Sequence, residues 1–427
     1  MISNAKKCVI AIAILIGSAI VGSVLLILVY CLPTDIISQN VASGVETFLT
    51  EGATFEYATD YKASILDNVT DAIMLGETVF PTTQHPVEAA MSVPRYIYHD
   101  SASPELSLMA YLNNNTQSER LVTTYPRYWH GYLIFLKPFF LFFDYADSRM
   151  FHLGLQLILF VVLIYLFNKS NLSPFIVPLT LLLVLWNPAS TGMCMQYYAC
   201  FYISFLSMII MLWKKEHLIK NDFYFHIFFL TIGICTSYFD FLTYPIATLG
   251  LPLCIWLLLT KTKYNRFLQL ICNALFWSIG YLGMWAEKWI LSSLILNQNI
   301  IQNALSNIAS RTSTSVETES ISRIDTVFYL AQVLIKWPYV IFFGLALIYV
   351  IYNGITQKIN LKYSYAKEKY ITLILFVLIA LLPCAWFFVT ANHSYIHPRL
   401  VYRNWGVTLF SAFAGIICLF QKKDSKQ

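Results

Sequence analysis

Apolar positions run along this chain in long blocks separated by short polar stretches. Windows of about 20 apolar residues fall at roughly 8–32, 150–168, 173–189, 195–213, 222–240, 244–260, 266–285, 335–353, 370–390 and 403–420. A hydrocarbon core about 30 Å thick takes about 20 helical residues, so the pattern predicts about ten transmembrane helices. The first block follows Lys6 and Lys7, exceeds a signal-peptide core in length and lacks a small-residue cleavage site. It is expected to be a retained anchor. Two polar stretches are long: 33–149, which ends in an amphipathic approach to the second span, and 286–334, rich in Asn, Ser and Thr. No repeat or soluble domain boundary appears. The fold class expected is an all-α polytopic membrane protein, a single membrane domain over 1–427.

Composition sharpens this picture. The chain is 58% hydrophobic and 12% charged, against about 25% charge in a soluble domain. The net charge of +5 comes from basic residues scattered over short loops, which argues against nucleic acid as a partner and for positive-inside topology. With a cytoplasmic N-terminus, ten crossings return the C-terminus to the same side. Sixteen of the 28 Lys and Arg residues then lie in short cytoplasmic segments, while the short outer turns 190–194 and 241–243 have none. Both long polar stretches are extracytoplasmic in this orientation. The nine cysteines lie in or beside apolar blocks with no CxxC pair, so they read as small hydrophobes.

The polar clusters near the ends of spans converge on the outer face. In "LDNVTDAIML", Asp67 and Asp71 stand four apart, which on a helix puts both carboxylates on one face, each raising the other's pKa. That suits a general base or a phosphate–metal contact; a helix cap or two solvated acids is the plainer alternative. Asp35 and Asp60 are weaker candidates. In "TTYPRYWHGY", Arg127, Tyr128 and His130 are candidates for substrate contact, or belong to an aromatic belt at headgroup level. The run "GYLIFLKPFFLFF" is shorter than a span and broken by Pro138, so it reads as interfacial or re-entrant. Asp240 sits in a turn after the fifth span, and Glu287 and Lys288 stand at the end of the seventh.

The strongest cluster is "NHSYIHPRLVYR". A helix starting at Pro398 would place Arg399 and Arg403 on one face, and two planar guanidiniums suit a phosphate or pyrophosphate. His393 and His397 would help to neutralise the same group. They also have zinc-ligand spacing, but no HExxH glutamate accompanies them and Pro398 interrupts the helix, so no metal site is assigned; a divalent cation remains the one cofactor left open. No P-loop, dinucleotide fingerprint or GxSxG elbow is present.

With these residues in view, the chain resembles the GT-C superfamily of polytopic membrane glycosyltransferases that use polyprenyl-phosphate-linked sugars. The resemblance lies in its plan: one anchor, a long first outer loop with carboxylates, then many spans. The closest local likeness is "YPRYWHGYLIFLKPFFLFFDYADSRMFHLGLQLI", where a proline-bearing aromatic segment leads to Arg149 at the start of the next span. The resemblance implies a catalytic acid in the first outer loop, where Asp67 and Asp71 match by location. It departs from the superfamily in that only Asp35 lies soon after the first span. Also implied are a polyprenyl-phosphate sugar donor, a glycan or lipid-linked acceptor and a plasma (inner) membrane setting. An inverting transfer needs one carboxylate to take the acceptor proton and cations for the departing lipid phosphate. Arg399, Arg403 and Lys288 would form that clamp. The alternatives are a polymerase or ligase of lipid-linked oligosaccharides, a flippase or transporter, and a scaffold. Transport is disfavoured because the spans carry almost no ionisable residues.

Overall fold

The computed structural model describes residues 4–81, 85–99, 103–114, 119–260, 265–356, 362–363, 366–420 and 422–423. Some of the basic residues used to orient the chain (Lys261, Lys263, Lys358 and Lys426) lie outside them. Among the described residues, 77% are helical. The first apolar block is α1 (Asn4–Val29), and the polar stretch after it folds into α2 (Thr34–Ser43), α3 (Glu46–Glu51), an antiparallel pair β1 (Thr54–Glu56) and β2 (Ile65–Asp67), and α4 (Asn68–Thr78). It continues through α5 (Pro86–Ser92), β3 (Pro94–Tyr98), α6 (Pro104–Leu112), β4 (Arg120–Thr124), which pairs antiparallel with β3, and α7 (Leu133–Phe139). The bundle then runs α8 (Tyr145–Lys169), α9 (Ile176–Trp186), α10 (Pro188–Met193), α11 (Tyr198–Trp213), α12 (Lys215–Leu218), α13 (Asp222–Phe239), α14 (Ile246–Leu259) and α15 (Arg266–Leu296). Last come α16 (Ile300–Arg311), α17 (Arg323–Ala331), α18 (Trp337–Ile355), α19 (Ala366–Ala380), α20 (Leu382–Val389), α21 (Ala391–Ile396), α22 (Pro398–Val401) and α23 (Trp405–Leu419).

All ten apolar blocks are helical, but they are not equal. Eight helical segments among the described residues are long and apolar enough to cross a membrane, as expected of an all-α polytopic membrane protein. The other two, 173–186 and 246–259, are shorter. The 14 residues of α14 rise only about 21 Å at 1.5 Å each, less than the hydrocarbon core. Its flanks explain this: nearly every side chain of α14 is buried, and it packs on α11, α13, α15, α19, α20 and α23. It is the hub of the bundle, apolar all round because it faces protein.

Two differences from the sequence reading have local causes. The seventh span was expected to end near 285, with Glu287 and Lys288 outside. Instead α15 continues to Leu296, because Lys288 is buried and donates to the Ala90 carbonyl at 3.0 Å. The polar stretch read as running from 286 to 334 is accordingly partly helical, with α16 and α17 inside it. Where α13 and α15 cross, Gly233 and Gly280 let the backbones touch: a Cβ on Gly233 would lie 2.0 Å from the Trp277 carbonyl oxygen, and one on Gly280 would lie 2.2 Å from that of Leu230. Such small-residue contacts are how apolar helices gain close packing without a hydrophobic drive between them. None of the nine cysteines is in a disulfide among the described residues.

The ends of segments distant in sequence meet. Asp67 touches Arg399, Asp71 touches Met195, Trp186 touches Arg403 and Leu242 touches His393. The polar stretch 33–144 and the turns after α9, α13, α15 and α20 therefore share one end of the bundle. The first stretch is anchored there by an apolar cluster that includes Tyr30, Phe48, Leu75, Trp129 and Met284.

Candidate functional site

The site grows from the start of α4. Asp67 ends β2 and caps α4, its Oδ1 accepting from the Thr70 N–H at 3.2 Å. A carboxylate is a favoured cap because it satisfies an unpaired helical N–H and meets the positive end of the dipole. Its Oδ2 accepts from Nε of Arg399 at 3.0 Å, and Nη2 of the same guanidinium completes the ion pair at 3.0 Å. This joins the first polar stretch to the last, with Asp67 buried and Arg399 28% exposed at its side chain.

Asp71 lies one turn further on and is fully buried. Its Oδ2 accepts from the Tyr145 hydroxyl at 2.7 Å and from the Met195 N–H at 3.2 Å, whereas its Oδ1 has no hydrogen-bond partner. Burial pushes its carboxyl up to about 7, against the opposing pull of the Tyr145 hydroxyl and the Arg149 guanidinium. The expected mutual effect of the two acids is the smallest contribution, because α4 begins after Asp67 and the carboxylates face different partners rather than pairing on one helical face.

Behind Asp71 stands a buried network. Arg149 grips Glu51 with two parallel bonds, Nη1–Oε1 at 2.6 Å and Nη2–Oε2 at 2.8 Å, and donates from Nη2 to Asn68 Oδ1 at 3.1 Å and the Tyr145 hydroxyl at 3.0 Å. Asn68 returns to Glu51 at 3.0 Å. This bidentate geometry is strong and directional. It holds Tyr145, and through it Asp71, in one orientation. A capping box between Asp144 and Asp147 sets the start of α8 that carries Tyr145 and Arg149.

The remaining candidates part company. Arg403 does not share a face with Arg399: the chain passes through a tight turn at 402–404, and Arg403 points inward over the Tyr197 ring at 3.6 Å. Its Nη1 donates to the Arg399 carbonyl at 2.5 Å, while Nε and Nη2 have no partner. His393 is buried with Nε2 2.8 Å from the Leu242 carbonyl oxygen, and burial holds it neutral, down to about 3. His397, its ring 4.9 Å from that of His393, is lowered to about 4 by burial and by Arg311. Neither imidazole carries charge toward a phosphate at neutral pH. Asp240 is buried and spends its oxygens on the Leu242 and Thr243 N–H groups and the Thr243 hydroxyl, although burial still raises it to about 6. The turn it closes holds Leu242 at φ 76°, a strained value for a bulky residue.

Lys288 lies away from Arg399, in contact with Ala90 and over the Trp129 ring. His130 pairs with buried Glu77 at 3.1 Å and with the Tyr132 hydroxyl at 2.6 Å. Its loop is pinned by Gly131, where a Cβ would meet the Tyr238 ring at 2.3 Å. Arg127 donates to Asn303 at 2.9 Å, and the Tyr128 ring stands edge-on to Trp285 at 5.8 Å. Asp60 lines a cavity of about 170 Å³ with Lys62, Tyr329 and Lys336. A second cavity, of about 310 Å³, is lined by Arg127, Tyr128, Trp285 and Arg311. Neither is lined by Asp67, Asp71 or Arg399. Among the described residues no three His, Cys, Asp or Glu side chains gather as a metal site.

Sequence reasoning missed Glu51, Asn68, Glu77, Tyr145 and Arg311. Glu77 had a signal, a lone acid among apolar residues in "AIMLGETVF"; Glu51 and Asn68 had none, because only the fold brings Arg149 to them. No protein-family model matches the sequence, no curated protein matches it and no solved structure matches its fold.

Proposed function

We propose that this chain is a membrane glycosyltransferase that moves a sugar from a polyprenyl-phosphate donor to a hydroxyl of a glycan or lipid-linked acceptor, with inversion, on the extracytoplasmic face. The observation that carries the reading is the pairing of opposite tasks at one place: a buried acid with a free oxygen and a titration near 7, and a partly exposed guanidinium held by a neighbouring acid. A general base works best with a pKa near the operating pH.

In this reading Asp71 Oδ1 takes the proton of the acceptor hydroxyl as the acceptor oxygen bonds to the anomeric carbon. The bond from that carbon to the phosphate oxygen breaks, and its electron pair leaves on the lipid phosphate. Arg399 meets that phosphate, which carries more charge than the carboxylate and displaces Asp67 from the guanidinium. Arg149 and Glu51 act at a distance by fixing Tyr145. Lys288, Arg403 and Asp240 hold structure in this account, and His393 and His397 serve as neutral neighbours.

The test is transfer of label from a pool of radiolabelled polyprenyl-phosphate sugars by purified protein in detergent. Wild type is expected to transfer with inversion. Asp71→Asn is expected to lose transfer at least 100-fold while still binding donor, and Arg399→Ala to lose donor binding. Donor binding without sugar release to any acceptor tried would instead favour transport of the lipid-linked glycan.

A further inference from the structure

The cavity between α15, α16 and α20 is built from two kinds of surface. Its long wall is a ladder of rings one helical turn apart on α15: Trp277, Tyr281, Trp285 and Trp289, with successive centroids 4.8, 4.7 and 6.1 Å apart. The first and last pairs are stacked and the middle pair is tilted at 42°, and together the rings make an apolar wall. At its other side stand Arg127 and Arg311. Arg127 is already bonded to Asn303, but Arg311 is half-buried with no hydrogen-bond or ion-pair partner among the described residues. Among the described residues no Asp or Glu lines the space.

The polar atoms of the lining residues are unbalanced in the same sense. The Tyr281 hydroxyl, Trp285 Nε1 and Trp386 Nε1 are buried without a partner. One guanidinium, that of Arg311, and three buried donors are thus left without acceptors in and around an apolar cavity, a shortage that an anionic occupant would relieve at Arg311. An aromatic belt accounts for the tryptophans but not for the guanidiniums.

The cavity also reaches the outward side of α15. Leu282 and Ser278 line it, and Leu282 is 58% exposed beside Leu275 and Ile279, which are 54% and 51% exposed. These belong to the outward stripe of a helix long enough to cross a bilayer, the surface that lipid would cover. The amphipathic helix α16 closes the cavity with Ala304, Asn307, Ile308 and Arg311 while presenting Ile301 and Leu305 outward, the arrangement of a helix lying at an interface.

We infer that this cavity binds a long-chain phosphate monoester from the bilayer, its chain along the α15 ladder and its phosphate on Arg311 and Arg127. The cavity is separate from Asp67, Asp71 and Arg399, and its occupancy does not depend on transfer: a chain with no transferase activity would bind in the same way.

The test uses quenching of tryptophan emission in detergent by a bromoalkyl phosphate, with the matching bromoalkanol and inorganic phosphate as controls. Saturable quenching by the phosphate amphiphile is expected, at least tenfold weaker in Arg311→Gln and absent when Ala304→Trp fills the space with both guanidiniums retained. Equal quenching by the alkanol would overturn the inference, since the guanidiniums would then contribute nothing. Full displacement by inorganic phosphate at equal concentration would also overturn it, because the chain would then be irrelevant. Unaltered quenching in Ala304→Trp would place the probe elsewhere on the protein.

Discussion

At the residue scale, Asp71 decides most. Its carboxyl titrates near 7 in the fold and near 3.9 in an unfolded chain. Folding therefore favours the protonated acid, and the contribution is fully present below about pH 4 and lost as pH rises through about 7. Asp71→Asn, which keeps the shape without the charge, is expected to remove this loss. Thermal unfolding at pH 4.5 and 8 would show a smaller difference between the two pH values in the variant than in wild type; an equal difference would mean that Asp71 is not the titrating group. His393 acts in the opposite direction. Lowered to about 3 by burial, it contributes stability that is present above about pH 6.5 and lost as pH falls through about 3. The sequence exposed Asp71 as a candidate by its spacing from Asp67, but not its burial or its free oxygen, which depend on Tyr145 and Met195 arriving from elsewhere. It misread Arg403, because helical periodicity from Pro398 was assumed to continue through 402–404, where the helix tightens.

At the scale of elements, the Glu51–Arg149 pair fastens the polar stretch to α8. Breaking a buried pair by removing one partner leaves a lone charge and costs about 3–5 kcal/mol. Glu51→Ala and Arg149→Ala are each expected to lower stability by that order, with the double variant less than additive; additive losses would mean that the two do not act as a unit. The crossing of α13 and α15 is a second element-scale test. Gly280→Val would force a side chain into the Leu230 carbonyl and is expected to abolish the monodisperse folded protein on size exclusion, whereas Gly154→Ala, with open space around it, should be silent. The existence of all ten apolar helices was legible from block length alone. That α14 is a buried hub rather than a long span was not, since an apolar run reads the same against protein as against lipid.

For the whole molecule, contacts between distant segments gather the polar stretches at one end, and the distribution of Lys and Arg is the basis for proposing that this end faces outward. Cys8 lies in the first turns of α1 and Cys31 just past its end, and both are exposed, so an impermeant thiol reagent on intact cells is expected to label Cys31 but not Cys8, with Cys8 reacting after permeabilisation. The reverse pattern would turn the proposed orientation over. Convergence at one end could be read from the sequence because connections between helices are short; which residues then touch could not, since Asp67 and Arg399 are 332 residues apart.

The central claim is that Asp71 is the base of a glycosyl transfer at this outer end. Its most direct test is the pH dependence of label transfer from the polyprenyl-phosphate sugar pool between pH 5 and 9, at saturating donor. The account predicts a rate that climbs with pH through a single limb near 7 and is absent in Asp71→Asn, with donor binding retained. A limb below pH 5, or an unchanged profile in Asp71→Asn, would contradict it.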